Sequence, residues 1–202
     1  EPFVIPLDLQ IRREAERFHG LIHARTGLFS EKNWYDALVR GVAAAAVSAG
    51  YKNINEYYSI LQEAGTESEV WDNLVSAITV GETYFFRNQN HFSALRQSIL
   101  PKLITLRRNV RRLRIWSAGC ATGEEPYSLA ILLRELIPDI DRWNIFIMGT
   151  DINKEVLKRA RKGLYSEWSF RETEPATRAR YFVRGGDRFQ LDPRVLKMVT
   201  YG

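Results

Sequence analysis

SAGCATGEEPY, residues Ser117 to Tyr127, is the stretch that decides how this 202-residue chain is read. Upstream of it, Leu113 to Ser117 has the pattern of a short strand. Downstream, Pro126 to Leu136 has helical spacing, with Pro126 suited to the first helical position. Between them, Gly119 and Gly123 permit positive φ and a close approach of the backbone to a ligand. A second apolar run, Asn144 to Gly149, precedes a helix that Asn153 can cap and Gly163 can end. Strand, helix, strand, helix at this spacing predicts the start of a doubly wound parallel sheet, an α/β fold. The unbroken apolar character of the second run predicts a strand covered on both faces.

In such a sheet ligands bind at the carboxyl ends of the strands, where this turn lies. The spacing is not the G-x-G-x-x-G of a dinucleotide site. Glu124 and Glu125 stand at the helix start, where they would repel a pyrophosphate and favour a cation; equally, both acids suit a plain helix cap. Asp151 closes the second strand, and a carboxylate there can accept both hydroxyls of a ribose or simply begin the next helix. A glycine turn plus an acid after the second strand is a nucleoside-site pattern, and a cationic nucleoside points to S-adenosyl-L-methionine.

Working outward, the first 80 residues predict an all-helical unit. Apolar positions recur at helical spacing through Leu9, Phe18, Leu21 and Ile22, then through Trp34, Leu38 and Val42, with Tyr57, Tyr58 and Leu61 on a third helix. Thr66 to Glu69 reads as a capping box ahead of Val70, Leu74 and Ile78. The segment GETYFFR (Gly81 to Arg87) follows, then a helix through Phe92, Leu95 and Ile99 that Pro101 should stop or kink. RRNVRR (Arg107 to Arg112) reads as a solvated linker; it lacks the interleaved aromatic residues that stack on bases. The expected organisation is therefore a helical domain at 1–80, an interdomain motif, helix and linker at 81–112, and a sheet domain at 113–202 carrying an antiparallel hairpin at about 180–192.

Composition narrows the class. An apolar fraction of 45% and a charged fraction of 26% are those of an ordinary globular protein. No apolar run approaches the roughly 20 residues that span a bilayer. A single cysteine, Cys120, excludes an intrachain disulfide and suits a reducing compartment, so the expected location is cytoplasmic. Cys120 reads as a small buried turn residue. His19 and His23 share a helix face without an evident third ligand, so no metal is expected. Residues 1–72 hold 7 basic and 11 acidic residues, a net −4, against 22 basic and 13 acidic in the remainder, a net +9. The basic part suits an acidic partner.

ETYFFR (Glu82 to Arg87), GCATGEEPYSLA (Gly119 to Ala130), TDIN (Thr150 to Asn153), KGLY and RYF together resemble the CheR-type chemotaxis glutamate O-methyltransferases, in order and spacing over nearly the whole chain. The resemblance implies a helical N-terminal domain joined to a methyltransferase domain with a small antiparallel subdomain. It implies methyl transfer from S-adenosyl-L-methionine, leaving S-adenosyl-L-homocysteine, to glutamates on the cytoplasmic domain of a chemoreceptor or related signalling protein, with no nucleic acid and no membrane insertion. Thr83, Arg87, Gly119, Glu125 and Asp151 are the implied cofactor residues, Arg87 also the catalytic one; Tyr84, Phe85 and Phe86 are expected to pack.

Three features depart from that pattern. Gly81 stands where the family usually has an asparagine. The early helix, arginine-rich in the family, here reads LVRGVAAAAVSAGY with Arg40 its one basic residue, so recognition of an acidic receptor by that route is in question. The sequence ends at Gly202, before the family's later strands, so this stretch alone is expected not to turn over. A non-catalytic cofactor- or partner-binding module and a nucleic-acid methyltransferase are the competing classes.

Overall fold

Residue contacts in the computed structural model, which describes residues 7–29 and 34–202, divide the chain between Val80 and Gly81. The first unit contains helices α1 (Leu7–Thr26), α2 (Tyr35–Ser48), α3 (Ile54–Glu63) and α4 (Glu69–Ile78). Ile11, Ala15, Phe18 and Ile22 recur at steps of three and four, so α1 buries one stripe. The alanine run of α2 is core: Leu38, Val39, Val42, Ala45 and Ala46 are all buried. Gly41 lets α2 and α4 approach, because a Cβ there would lie 2.5 Å from Ile78 Cγ2. Asn53 caps α3 by accepting from Asn55 N–H. The expected capping box is absent. Ser68 is the N-cap of α4 and makes no side-chain cap hydrogen bond, so the helix begins two residues later than Thr66 would place it.

The second unit mixes helices with a parallel sheet. Helix α5 (Gln89–Ala94) runs through a π-helical turn (Leu95–Ile99) into α6 (Leu100–Arg107). Pro101, expected to stop or kink this helix, does not stop it. The wider turn just before it, in which Leu100 N–H reaches Leu95 carbonyl, makes room for the proline ring. Strand β1 (Arg112–Ala118), helix α7 (Glu124–Leu136), strand β2 (Asn144–Thr150) and helix α8 (Lys154–Lys162) follow. Helix α7 starts at Glu124, which places Pro126 third rather than first; its missing N–H is still one the helix cannot use. Asn153 caps α8 by accepting from Glu155 and Val156 N–H, and Gly163 ends it at φ 58°. Next come β3 (Leu164–Ser166), α9 (Pro175–Tyr181), β4 (Phe182–Gly185), β5 (Arg188–Leu191), α10 (Pro193–Leu196) and β6 (Val199–Tyr201).

Strands β1, β2 and β6 form one parallel sheet in that order, and β3, β5 and β4 a separate antiparallel one. Because the described order advances in one direction, its right-handed crossovers lie on one face. That face carries Leu113, Ser117, Ile147 and Gly149, all buried, against the apolar side of α7. The opposite face is open. Phe146 is 41% and Trp116 71% exposed, so β2 is not covered on both faces among the described residues. An apolar run as short as Asn144 to Gly149 cannot by itself distinguish one buried face from two. No helix among the described residues is long and apolar enough to cross a membrane.

Candidate cofactor site

The turn after β1 is built by backbone strain and stitched to β2. It leaves the strand through Gly119 (φ 68°), Ala121 (φ 47°) and Gly123 (φ 91°), three left-handed residues in five. Cys120 N–H donates to Thr150 carbonyl (3.0 Å), and Ala121 N–H to Asp151 Oδ2 (2.8 Å). The two glycines do different jobs. A Cβ on Gly123 would lie 2.4 Å from the Tyr201 hydroxyl oxygen and 3.0 Å from Ala160 Cβ, so this glycine serves packing beneath the turn. A Cβ on Gly119 would meet nothing within 4 Å. Gly119 therefore borders the space in which a ligand can approach bare backbone.

The adjacent acids also separate. Glu124 is buried at 2% exposure and accepts hydrogen bonds from Thr122 Oγ1 (2.6 Å) and Ser169 Oγ (3.1 Å). Burial raises its pKa above the usual carboxylate range, against the pull of the Thr122 hydrogen bond. Glu125 is exposed and is held by Ser117 Oγ at 2.6 Å. The sequence treats the pair as equivalent; the fold makes one an interior brace and the other a free-facing carboxylate. Because the folded state holds the Glu124 proton more tightly than the unfolded chain, this group's contribution is present below about pH 4.5 and lost as pH rises through its folded value. Glu124→Gln should therefore gain thermal stability relative to wild type between about pH 5 and about pH 8, measured by melting at both values. An unchanged difference would show that the buried carboxylate carries no such cost.

Asp151 performs both roles left open for it. Oδ1 accepts from Asn153 N–H (2.9 Å), the helix-entry geometry, while Oδ2 holds Ala121. Each oxygen keeps a lone pair, and the residue is only half-buried, so hydroxyl donors can still reach it.

ETYFFR is anchored by its aromatic residues. Phe85 is fully buried among Tyr165, Phe170 and Phe182, with ring centroids at 4.8, 5.3 and 4.9 Å. Its N–H donates to Ser169 carbonyl (2.9 Å), and Phe86 N–H to Ser128 Oγ (3.0 Å). Ser128 in turn donates to Glu124 carbonyl (2.7 Å). The segment begins beside the turn, since a Cβ on Gly81 would lie 4.0 Å from Ala121 Cβ. Half-buried Thr83 lies two residues on. Phe86 (φ 58°) and Asn88 (φ 64°) are both left-handed and flank Arg87, a strained setting that fixes where its backbone points. The exposed Arg87 folds within its own segment, donating to Glu82 carbonyl at 2.8 Å and lying 5.6 Å from the Tyr84 ring centre. Gly119, Glu125 and Asp151 are thus gathered at the ends of β1 and β2, with Thr83 nearby and Arg87 turned aside.

Ser117, Ser128 and Ser169 are the residues that sequence reading missed. Ser128 lies one helical turn after Glu124 and was findable; Ser169 lies 45 residues from its partner and was not. Open space at Gly119, in a turn that holds the Glu125 carboxylate through Ser117 and the Asp151 carboxylate through Ala121, fits a cationic nucleoside. Residues 81–202, all of the second unit, match the family model described as CheR methyltransferase, SAM-binding domain. The chain belongs to the CheR methyltransferase family.

Its relatives include a probable chemotaxis protein methyltransferase of Rhizobium etli, 32% identical over 90% of this chain and 69% of the relative. Chemotaxis protein methyltransferases of Borreliella burgdorferi and Salmonella typhimurium are 36% and 34% identical over 75% and 84% of this chain. The chain spans 55% and 56% of the length of those two. The cofactor of this CheR domain is S-adenosylmethionine.

Proposed function

We propose that this protein transfers a methyl group from S-adenosylmethionine to glutamate side chains of a chemoreceptor-like signalling protein, forming methyl esters. The observation that carries the reading is the left-handed Gly119, open to space, in a turn whose residues two positions to either side, Ser117 and Ala121, hold the Glu125 and Asp151 carboxylates. The names of the chemotaxis relatives support the partner class. In this reading residues 1–80 are a helical N-terminal domain, and the sheet β3–β5–β4 is a small subdomain of the methyltransferase domain.

When bound, S-adenosylmethionine supplies a methyl group already activated by the sulfonium. The chain's own residues then have to bind, orient and exclude water. Asp151 accepts the ribose hydroxyls on its remaining lone pairs, and Glu125 accepts from the cationic amino group. Thr83 would bring a hydroxyl from the ETYFFR segment, and Arg87, released from the Glu82 carbonyl, would fork onto a carboxylate, either the cofactor's or the incoming glutamate's. No nucleophile of the protein is required. Burial pushes the Cys120 thiol up to about 12, so it remains protonated and takes no part.

Arg87→Ala is expected to weaken S-adenosylhomocysteine binding by about 1.5–3 kcal/mol, the range for hydrogen bonds to charged groups. Calorimetry on the folded variant reads it, and unchanged affinity would remove Arg87 from the cofactor. The ester itself is tested with methyl-labelled cofactor and a receptor fragment, where a glutamate ester releases labelled methanol in mild alkali. Label that survives alkali would assign the methyl to another acceptor.

A further inference from the structure

The question left by α2 is how an acidic partner is recognised at all. The exposed positions of that helix are nearly uncharged, with Asp36 offsetting Arg40 and Tyr35, Ala44, Val47 and Ser48 making up the rest. A concentration of positive charge lies on α8, the helix that follows the cofactor turn's partner strand β2. Val156, Leu157 and Ala160 are its buried side, and its exposed arc carries five cations, Lys154, Lys158, Arg159, Arg161 and Lys162, against one acid, Glu155. Three of the five are committed elsewhere: Lys158 pairs with Glu155 (2.5 Å), Arg161 donates to Tyr201 carbonyl (2.9 Å), and Lys154 has a partner of its own.

Arg159 and Lys162 sit three residues apart on one face and line a cavity of about 560 Å³. Arg188 of β5 lines it too, and its contact with the exposed Asp187 is a loose 3.8 Å. Glu124 is the cavity's only acid and is spoken for by Thr122 and Ser169. The cavity starts at Thr122, inside the cofactor turn. Three exposed cations therefore face a space that adjoins the glycine turn.

We propose that this cavity docks the acidic flank of the methyl-accepting protein, with Arg159, Lys162 and Arg188 pairing carboxylates that neighbour the one to be methylated. The proposal rests on the methyl-transfer reading above for the identity of the partner. A protein methylated on glutamates presents several carboxylates together, and a focused basic cavity beside the cofactor turn attracts and orients such a surface. It also gives the net positive second part of the chain a use that the cofactor, bound by acids, does not.

The test is a double charge reversal, Arg159→Glu with Lys162→Glu, both at exposed positions. Binding of a fluorescent chemoreceptor coiled-coil fragment with clustered glutamates is followed by anisotropy in the full chain. A fragment with those glutamates changed to glutamine is the comparison. The reversal should weaken the acidic fragment by about tenfold or more at about 50 mM salt and flatten its salt dependence up to about 300 mM. Arg159→Gln with Lys162→Gln should give a smaller loss in the same direction, and S-adenosylhomocysteine affinity should stay within about twofold, since neither residue touches the cofactor turn. Unchanged fragment binding in both variants overturns the proposal. So does a larger loss for single-stranded RNA than for the fragment, or a parallel loss of cofactor affinity. Because docking is read by binding alone, the methyl-transfer reading is tested apart from it: label that survives mild alkali overturns that reading and leaves the docking result to stand or fall by itself.

Discussion

Phe85→Ala is expected to destabilise the protein by about 3–5 kcal/mol, the cost of emptying a fully packed aromatic position. The ring is completely buried, stacked on Phe170 and met edge-on by Tyr165 and Phe182, so truncation removes three aromatic contacts and leaves a void. The loss should extend to function. The buried Phe85 ring seats the segment carrying Thr83 and Arg87 against Tyr165, Phe170 and Phe182, and without the ring both residues lose their fixed position even though the Phe85 N–H to Ser169 carbonyl bond remains available. Urea unfolding gives the first quantity and S-adenosylhomocysteine titration the second. Phe85→Leu should retain more of both. A loss below about 1 kcal/mol would mean that the neighbours collapse into the gap and that the segment is held by other contacts.

Asp151→Ala is the second large effect, and its size comes from the residue's double duty. Removing the carboxylate strips the acceptor from Ala121 N–H, in a nearly buried turn already at φ 47°, and from Asn153 N–H at the start of α8. Leaving a buried donor unsatisfied costs about 1–3 kcal/mol of stability. If the carboxylate also takes the ribose hydroxyls, cofactor binding weakens by about a further 1.5–3 kcal/mol in protein that remains folded. Asp151→Asn divides the two roles. It keeps one acceptor for the turn but sets an amide N–H₂ against either a backbone donor or a ribose hydroxyl. Melting curves with and without saturating S-adenosylhomocysteine separate the terms. A variant that melts lower yet gains the same ligand-induced shift as wild type would assign Asp151 to the turn alone.

What was legible in the sequence was local. The glycine turn between a strand and a helix, the Asn153 cap and the Gly163 stop are set by φ preference and hydrogen bonds within a few residues, and the fold reproduces them. The ligand class was legible for the same reason, since acids at the helix start disfavour a pyrophosphate and the acid after the second strand suits a ribose. Pro101 and the capping box misled because local rules admit alternatives. A π turn absorbs the proline, and Ser68 starts α4 without a side-chain bond.

The tertiary structure alone decided which member of each similar pair does what. Glu124 braces and Glu125 faces out because Ser169 arrives from 45 positions away to satisfy the buried one. Gly123 is a packing glycine because Tyr201 closes beneath it, while Gly119 opens to space because nothing comes near. The Asn144–Thr150 strand left Phe146 uncovered because the described strand order advances one way and puts the helices on one face. Sequence spacing orders neighbours along the chain, but burial is set by whatever returns to pack against them, and no local pattern in β1 or α7 encodes the arrival of Ser169 or Tyr201.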